Sequence, residues 1–355
     1  MKDLLAQLIR GTPLTCAQAE SAFTDIMDGT ADPVHTAGLL SLLAAREPTV
    51  EELHGAATVM RRHVIAIDAP EDVIDTCGTG GTGSPLFNIS TTVALVVAAA
   101  GVPVAKHGNR SITSRSGSSD VLRVLGVNIE TTPAQAARCL KEAGICFAFA
   151  PRHHPAMRHV APIRQALGFA TIFNLLGPLT NPAGACRQVV GTRSAALADK
   201  LLDVLVRLGA RRAIVVSGSD PHMGSLCDIS VTGPTHVADY DGVLDDSFGD
   251  AGGGGGVTRR YTLTPEELGL RSYANSDELV IRSPEDSARL IRALLARQLG
   301  GAAREIVLAN AAAALWVGGG AATLKAGVTR AAEALDSGAA EKTLARLVAL
   351  SHESA

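Results

Sequence analysis

Aromatic side chains are scarce in this sequence, 3% of 355 residues, which removes the stacking platforms that single-stranded nucleic acids need. An excess of one charge is lacking too. The 32 Lys and Arg stand against 35 Asp and Glu, a formal charge of −3, which argues against nucleic acid or a membrane surface as partner. The six cysteines (Cys16, Cys77, Cys139, Cys146, Cys186 and Cys227) form no CxxC pair and no zinc spacing. The longest apolar run, Val93 to Ala100, falls far short of the ~20 residues of a membrane span. The N-terminal MKDLLAQLIRG has neither the apolar stretch nor the cleavage site of a signal peptide. A reduced cytoplasm is the expected location. What is plentiful is apolar side chain, 46% against 19% charged, so a sizeable core is expected and wholesale disorder is not.

Residues 1–70 read as helices only. Thr15 caps the segment AQAESAFTDIMDG, which stops at Gly29; Pro33 opens a second helix; Thr49 and Glu52 form a capping box for a third. The texture changes near Asp72. Strands are expected at Val73–Asp75, Val102–Ala105, Arg212–Ser217 and Asp228–Thr232. Helices are expected over Thr91–Ala100, Ala195–Leu208, Ser287–Leu299 and Ala303–Val317. The alternation predicts an α/β fold with a mostly parallel sheet covered on both faces. Asp250–Gly256 (DAGGGGG) reads as a flexible surface loop without chemistry.

Three clusters carry chemical character. Gly78-Thr79-Gly80-Gly81-Thr82-Gly83 follows a strand and matches G-x-G-x-x-G. The dinucleotide fingerprint, however, requires the helix to begin inside the motif and an acid about 20 residues on. Here Pro85 intervenes and the next strand ends in Lys106-His107. No Gly-Lys-Ser/Thr follows either, which removes a Walker A loop. What remains is a set of exposed amides beside a helix start lined by Asn88, Ser90, Thr91 and Thr92, both favourable to phosphate. The second cluster, residues 106–119, holds Lys106, His107, Arg110 and Arg115 among Ser111, Thr113, Ser114, Ser116, Ser118 and Ser119, a composition suited to a polyanion. A solvated turn is the plainer alternative. In the third, APRHHPAMRHVAPIRQALG, a stripe of Met157, Val160, Ile163 and Leu167 leaves Arg164 elsewhere on the circumference. Arg164 has the planar fork that holds a carboxylate, although periodicity alone places it on a solvated face.

DTCGTGG, FNIST, KHGNRS, SGSSD, FAPRHHPAMRHVAPIRQALG and IFNLLGPLTNPA occur in this order, with GPT at Gly233–Thr235 and NAAAALW near Asn310. Together they resemble the anthranilate phosphoribosyltransferase family over nearly the whole chain. The resemblance implies a small helical domain, residues 1–70 joined by a helical segment near 165–185. It implies a larger α/β domain over 71–355, a cleft between the two, and a homodimer formed through the helical domains. It implies transfer of ribose 5-phosphate from phosphoribosyl pyrophosphate (PRPP) to the amine of anthranilate, in tryptophan synthesis, with Mg²⁺. By the same resemblance PRPP would meet Gly78, Gly81, Thr82, Asn88, Ile89, Ser90, Thr91, Lys106, His107, Gly108, Asn109, Arg110, Ser111, Ser114 and Ser118. Anthranilate would meet Gly78, Asn109 and Arg164. Metal would meet Ser90 and Asp228.

Four places depart from the family's pattern. Thr82 stands for the usual acid and Leu86 for the usual hydroxyl. Cys227-Asp228 replaces the usual Asp-Glu metal pair, and the preceding SGSDPHMGSLCD is longer than the usual turn. A neutral thiol is not a natural Mg²⁺ ligand, and Asp220 and His222 are the candidates to compensate. The alternatives to the implied activity are another aromatic acceptor, a related nucleoside phosphorylase, and a binding protein that has lost catalysis.

Overall fold

The computed structural model describes residues 1–110, 115–242 and 256–353. The first four helices, α1 (Lys2–Ile9), α2 (Cys16–Met27), α3 (Pro33–Arg46) and α4 (Val50–Arg62), form a bundle. Their starts follow the expected chemistry. Thr15 and Thr49 each accept a hydrogen bond from the backbone of the third helical residue, and the Gln18 and Glu52 side chains accept one in turn from the cap's own amide. Glu52 does more than cap: its buried carboxylate also accepts the Leu14 amide at 2.8 Å and pairs with Arg46, fixing the start of α4 to the α1–α2 turn and to the end of α3.

Beyond the bundle the chain continues through β1 (Ile74–Gly78), α5 (Ile89–Ala99), β2 (Val104–Gly108), α6 (Ser118–Val124), α7 (Pro133–Ala143) and β3 (Ile145–Phe149). Three short helices follow, α8 (Ala150–His153), α9 (Ala161–Leu167) and α10 (Ile172–Leu176), and then β4 (Arg187–Gly191), α11 (Ala195–Arg207), β5 (Arg212–Asp220), β6 (Gly224–Leu226), β7 (Thr235–Asp241) and β8 (Val257–Leu263). The chain closes with α12 (Pro284–Leu295), α13 (Gly301–Val317), α14 (Leu324–Asp336) and α15 (Ala339–His352).

The sheet order is β3-β2-β1-β4-β5-β7-β8, with β6 paired to β5. The five strands from β3 to β5 run parallel, and β7 and β8 extend the sheet antiparallel. Each face has its own apolar core. Val189, Ile214 and Val216 point into one with α5 and α12 to α15. Val190, Ala213 and Val215 point into the other, with α11, α10 and the N-terminal bundle. Burial on both sides makes these strands apolar at successive positions rather than alternating. The chain winds outward from β1 through β2 to β3, then returns to start β4 on the opposite side of β1. That reversal opens a crevice beyond the carboxyl ends of β1 and β4.

One expected strand is corrected. Residues Asp228–Thr232 form no ladder, because side chains occupy their backbone groups. The Ile229 amide donates to Asn310 Oδ1 at 2.8 Å, the Ser230 amide to Thr235 Oγ1 at 2.9 Å, and the Thr232 amide to Ser230 Oγ at 3.0 Å. The stripe from Met157 to Leu167 does pack on the core shared with the bundle, but over two short elements rather than one helix, and only Val160 is fully buried. The glycine run at 250–256 lies outside the described residues except for Gly256.

Candidate active site

The crevice is a cleft of about 360 Å³ lined from β1, β2, residues 79–90, 109–110 and 116–118, α9, α10 and the 226–228 turn, within the range of small-ligand sites. It gathers Gly78, Gly81, Thr82, Asn88, Ile89, Ser90, Lys106, His107, Gly108, Asn109, Arg110, Ser118, Arg164, Cys227 and Asp228. Thr91 is buried behind the wall rather than in it. Ser111 and Ser114 lie outside the described residues. Phe173, Asn174, Gly177, Pro178 and Ser116 also line the cleft. Of these, IFNLLGPL was visible only as a motif without an assigned role.

In the glycine loop Gly80, Gly81 and Gly83 hold φ of +64°, +86° and +71°, conformations that other residues resist. No atom lies within 4 Å of where their Cβ would sit, so the backbone edge is open to a ligand. Gly191 needs its missing side chain for a different reason: a Cβ there would fall 1.6 Å from the Cys227 carbonyl oxygen. That contact presses the 227–228 turn against the end of β4.

Lys106 lies deep in this floor, 2% exposed. Its Nζ donates to the Thr76 carbonyl and to Ser90 Oγ at 3.2 Å. Burial lowers its pKa while Asp75, Cys77 and Asp228 oppose the shift. Asp75 in turn accepts the His107 amide at 3.1 Å and the Asn181 carboxamide at 2.7 Å. The His107 imidazole faces Gly177 O at 3.0 Å through Nδ1 and stands 5.1 Å from the His154 ring. Burial pushes His107 down to about 3 and His154 down to about 4, so both are neutral at physiological pH.

Arg164 is on the cleft wall, not on a solvated face. Its Nη2 donates to Asn174 Oδ1 at 3.2 Å and its guanidinium lies 5.4 Å from the Phe173 ring centroid. Asn174 is itself fixed by accepting the Thr171 amide at 3.0 Å. The cleft thus places open amides and a buried cation at one end and an aromatic-backed guanidinium at the other. That arrangement suits an anion and a planar carboxylate together.

Residues 2–64 match the glycosyl transferase family helical bundle domain, and residues 70–341 match the glycosyl transferase family a/b domain. An anthranilate phosphoribosyltransferase of Rubrobacter xylanophilus is 46% identical over 99% of this chain and 97% of its own length. One of Methylobacterium radiotolerans is 48% identical over 98% and 96%. The crystal structure of the Thermus thermophilus anthranilate phosphoribosyltransferase superposes with a TM-score of 0.87 at 39% identity, covering 99% of this chain and 100% of that one. The chain belongs to the anthranilate phosphoribosyltransferase family.

Four of the positions read above as departures from the family's pattern lie in the cleft. Thr82, Leu86, Cys227 and Asp228 all line it. The Cys227 Sγ is 3.6 Å from Gly80 O, and burial with Asp228 alongside pushes its thiol up to about 12, leaving it protonated. Burial raises Asp228 to about 7, with Lys106 working against the rise. Asp220 does not compensate. Its carboxylate accepts the His222 and Met223 amides and the Thr232 and Ser276 hydroxyls, all at 2.8 Å or less. His222 is exposed and outside the cleft.

Proposed function

We propose that this enzyme transfers the phosphoribosyl group of PRPP to the amine of anthranilate, releasing pyrophosphate. The observation that carries the reading is the pairing of Arg164 with an open glycine loop across one cleft. Departure of pyrophosphate leaves an electron-poor ribosyl carbon, so no protein nucleophile is required. The site must instead stabilise charge on the leaving group and hold the amine in line. Amides of residues 78–83 and the Lys106 cation serve the first need. Asn109 and Arg164 serve the second, and neutral His107 closes the floor without repelling the substrate's metal. Arg110 and Ser118, which line the same cleft, would meet the phosphate oxygens.

Mg²⁺ bound to the pyrophosphate would neutralise charge that builds there. Ser90 Oγ would meet one such ion as it arrives with the substrate, its remaining ligands being substrate oxygens and water, and Asp228 is the carboxylate left beside Cys227 for a second. A second site would be the weaker one, because Cys227, whose thiol is protonated, stands where a further carboxylate would strengthen it. Incubation with PRPP, anthranilate and Mg²⁺ tests both statements. Anthranilate consumption matched by pyrophosphate release is expected, with binding titrations reporting one tight divalent ion per PRPP. In the double variant Cys227→Asp, Asp228→Glu, a second tight ion is expected. No turnover with anthranilate would overturn the acceptor; two tight ions in the unaltered enzyme would overturn the metal assignment.

We propose further that the enzyme works as a homodimer in a reducing cytoplasm. Ile9 on α1 and Val34 on α3 are 71% and 76% exposed, apolar positions that a dimer contact would cover, and all six cysteines are free. Light scattering should give twice the chain mass, and Ile9→Asp with Val34→Asp should give the monomer. A monomeric mass for the unaltered chain would remove this proposal.

A further inference from the structure

The segment 276–287, between β8 and the body of α12, belongs to none of the motifs that mark the family, yet it is bonded to the foot of the β5–β6 turn, to the exit of the glycine loop and to Arg115. At its start Ser276 Oγ donates to Asp220 Oδ2 at 2.6 Å, at the foot of the β5–β6 turn. In its middle it adds a short antiparallel pairing to the exit of the glycine loop. The Phe87 amide donates to Leu279 O at 3.0 Å and the Ile281 amide to Pro85 O at 2.8 Å, around the bridge between Leu86 and Val280. Arg115 of the 109–118 segment donates to Ile281 O at 2.8 Å. At its end Ser287, fully buried, exchanges two hydrogen bonds with Asn88, a residue 199 positions away. Its hydroxyl donates to Asn88 Oδ1 at 2.8 Å and accepts the Asn88 amide at 3.0 Å.

This last contact changes the part Asn88 plays. Asn88 Oδ1 also accepts Ser116 Oγ at 2.7 Å, and its Nδ2 donates to Ser116 O at 3.1 Å. Both lone pairs of the carboxamide oxygen and one of its two N–H groups are therefore spent inside the protein. Asn88 ties α12 to the 109–118 segment at the point where α5 begins. Ser287 does not line the cleft. We infer that Ser287 is a positioning residue, which holds Asn88 and through it Ser116 in the geometry that receives the diphosphate end of the substrate.

The inference rests on the PRPP reading for its kinetic consequence, but the coupling itself does not. Ser287→Ala leaves a buried amide and a carboxamide lone pair unmade, and both consequences can be read. Hydrogen–deuterium exchange should quicken in the peptides spanning 86–89 and 115–118, with the α13 peptides unchanged. KM for PRPP should rise about 10-fold, KM for anthranilate should stay within about 2-fold, and Ser287→Thr, which keeps the hydroxyl, should recover most of the loss. Unchanged exchange in both peptides overturns the coupling whatever the cleft binds. Faster exchange with PRPP and anthranilate KM rising together, or a threonine variant no better than alanine, overturns the positioning role. If Ser287→Ala does not accumulate folded, Ser116→Ala reads the same strut from its other end, and unchanged exchange at 86–89 in that variant overturns the inference.

Discussion

Arg164→Ala should raise the KM for anthranilate by about 10- to 150-fold and leave that for PRPP within about 2-fold. A charge-assisted hydrogen bond contributes ~1.5–3 kcal/mol, and each ~1.4 kcal/mol is a factor of ten. The selectivity follows from position. Arg164 stands on α9 against Phe173 and Asn174, across the cleft from the glycine loop. Its planar fork has Nη2 on Asn174 and lines the cleft, and lysine in its place would lose the paired geometry. Asn174→Ala should reproduce part of the effect, since it frees the guanidinium to turn. Steady-state kinetics with each substrate varied separately decides the matter. Equal rises for both substrates would make Arg164 a structural residue.

Lys106→Met is expected to act on two properties at once. Loss of the cation should weaken PRPP binding by about 10- to 150-fold, on the same reckoning for a charge-assisted contact. It should also destabilise the fold, by ~3–5 kcal/mol if Asp75 and Asp228 remain ionised without it. From sequence, Lys106 belongs to a polar loop and looks removable without harm to folding. Its burial, and its bonds to Thr76 O and Ser90 Oγ, reverse that expectation. The sign with pH is fixed by the carboxyls. Burial raises both above their unfolded values, and Lys106 holds each rise in check. Without the lysine they rise further. A carboxyl raised in the folded state contributes stability that is lost as pH climbs through its folded value. The deficit of the variant should therefore be small at pH 6 and larger at pH 8.5, as read by denaturant midpoints. A deficit independent of pH would mean that neither carboxyl is coupled to Lys106.

How far the residue pattern reached depended on how local the cause was. Thr15, Thr49 and Glu52 announce helix starts because a cap acts within one turn, and the structure shows those caps. The loops of the cleft were legible as chemistry, with glycine amides, cations and hydroxyls concentrated in two stretches. The strands β3, β4, β7 and β8 were not marked. ICFAF is a five-residue apolar run buried throughout, which periodicity cannot distinguish from a piece of helix, and RQVVG offers only Val189 and Val190 as strand formers behind Arg187 and Gln188. THVADYD carries two buried aspartates, which dilute a strand signal. Asp228–Thr232 misled for the opposite reason: its residues suit a strand, while Asn310, Thr235 and Ser230 had already taken its backbone groups. Ser287 could not be found by pattern at all. A buried serine in a helix looks like any other until the chain brings Asn88 against it.

The core on the bundle side of the sheet belongs to no single stretch of sequence. Residues of α2, α3 and α4 share it with α10, α11 and the sheet itself. Three passages of the chain are stitched together beside it: the Ile65 amide donates to His153 O at 2.8 Å, His153 Nδ1 meets Ile65 O at 2.8 Å, and the Ile67 amide donates to Pro182 O at 3.0 Å. The helical unit is therefore contiguous as a folded body but not as a stretch of gene. A fragment ending near residue 64 would lack α10 and expose the apolar faces that α10 and α11 cover, and transplanting it onto another α/β domain would require a copy of the 150–185 passage as well. Shuffling of domains between proteins works on cassettes. This architecture is inherited whole, and substitutions that retune the cleft have to arise within a chain that cannot exchange its halves.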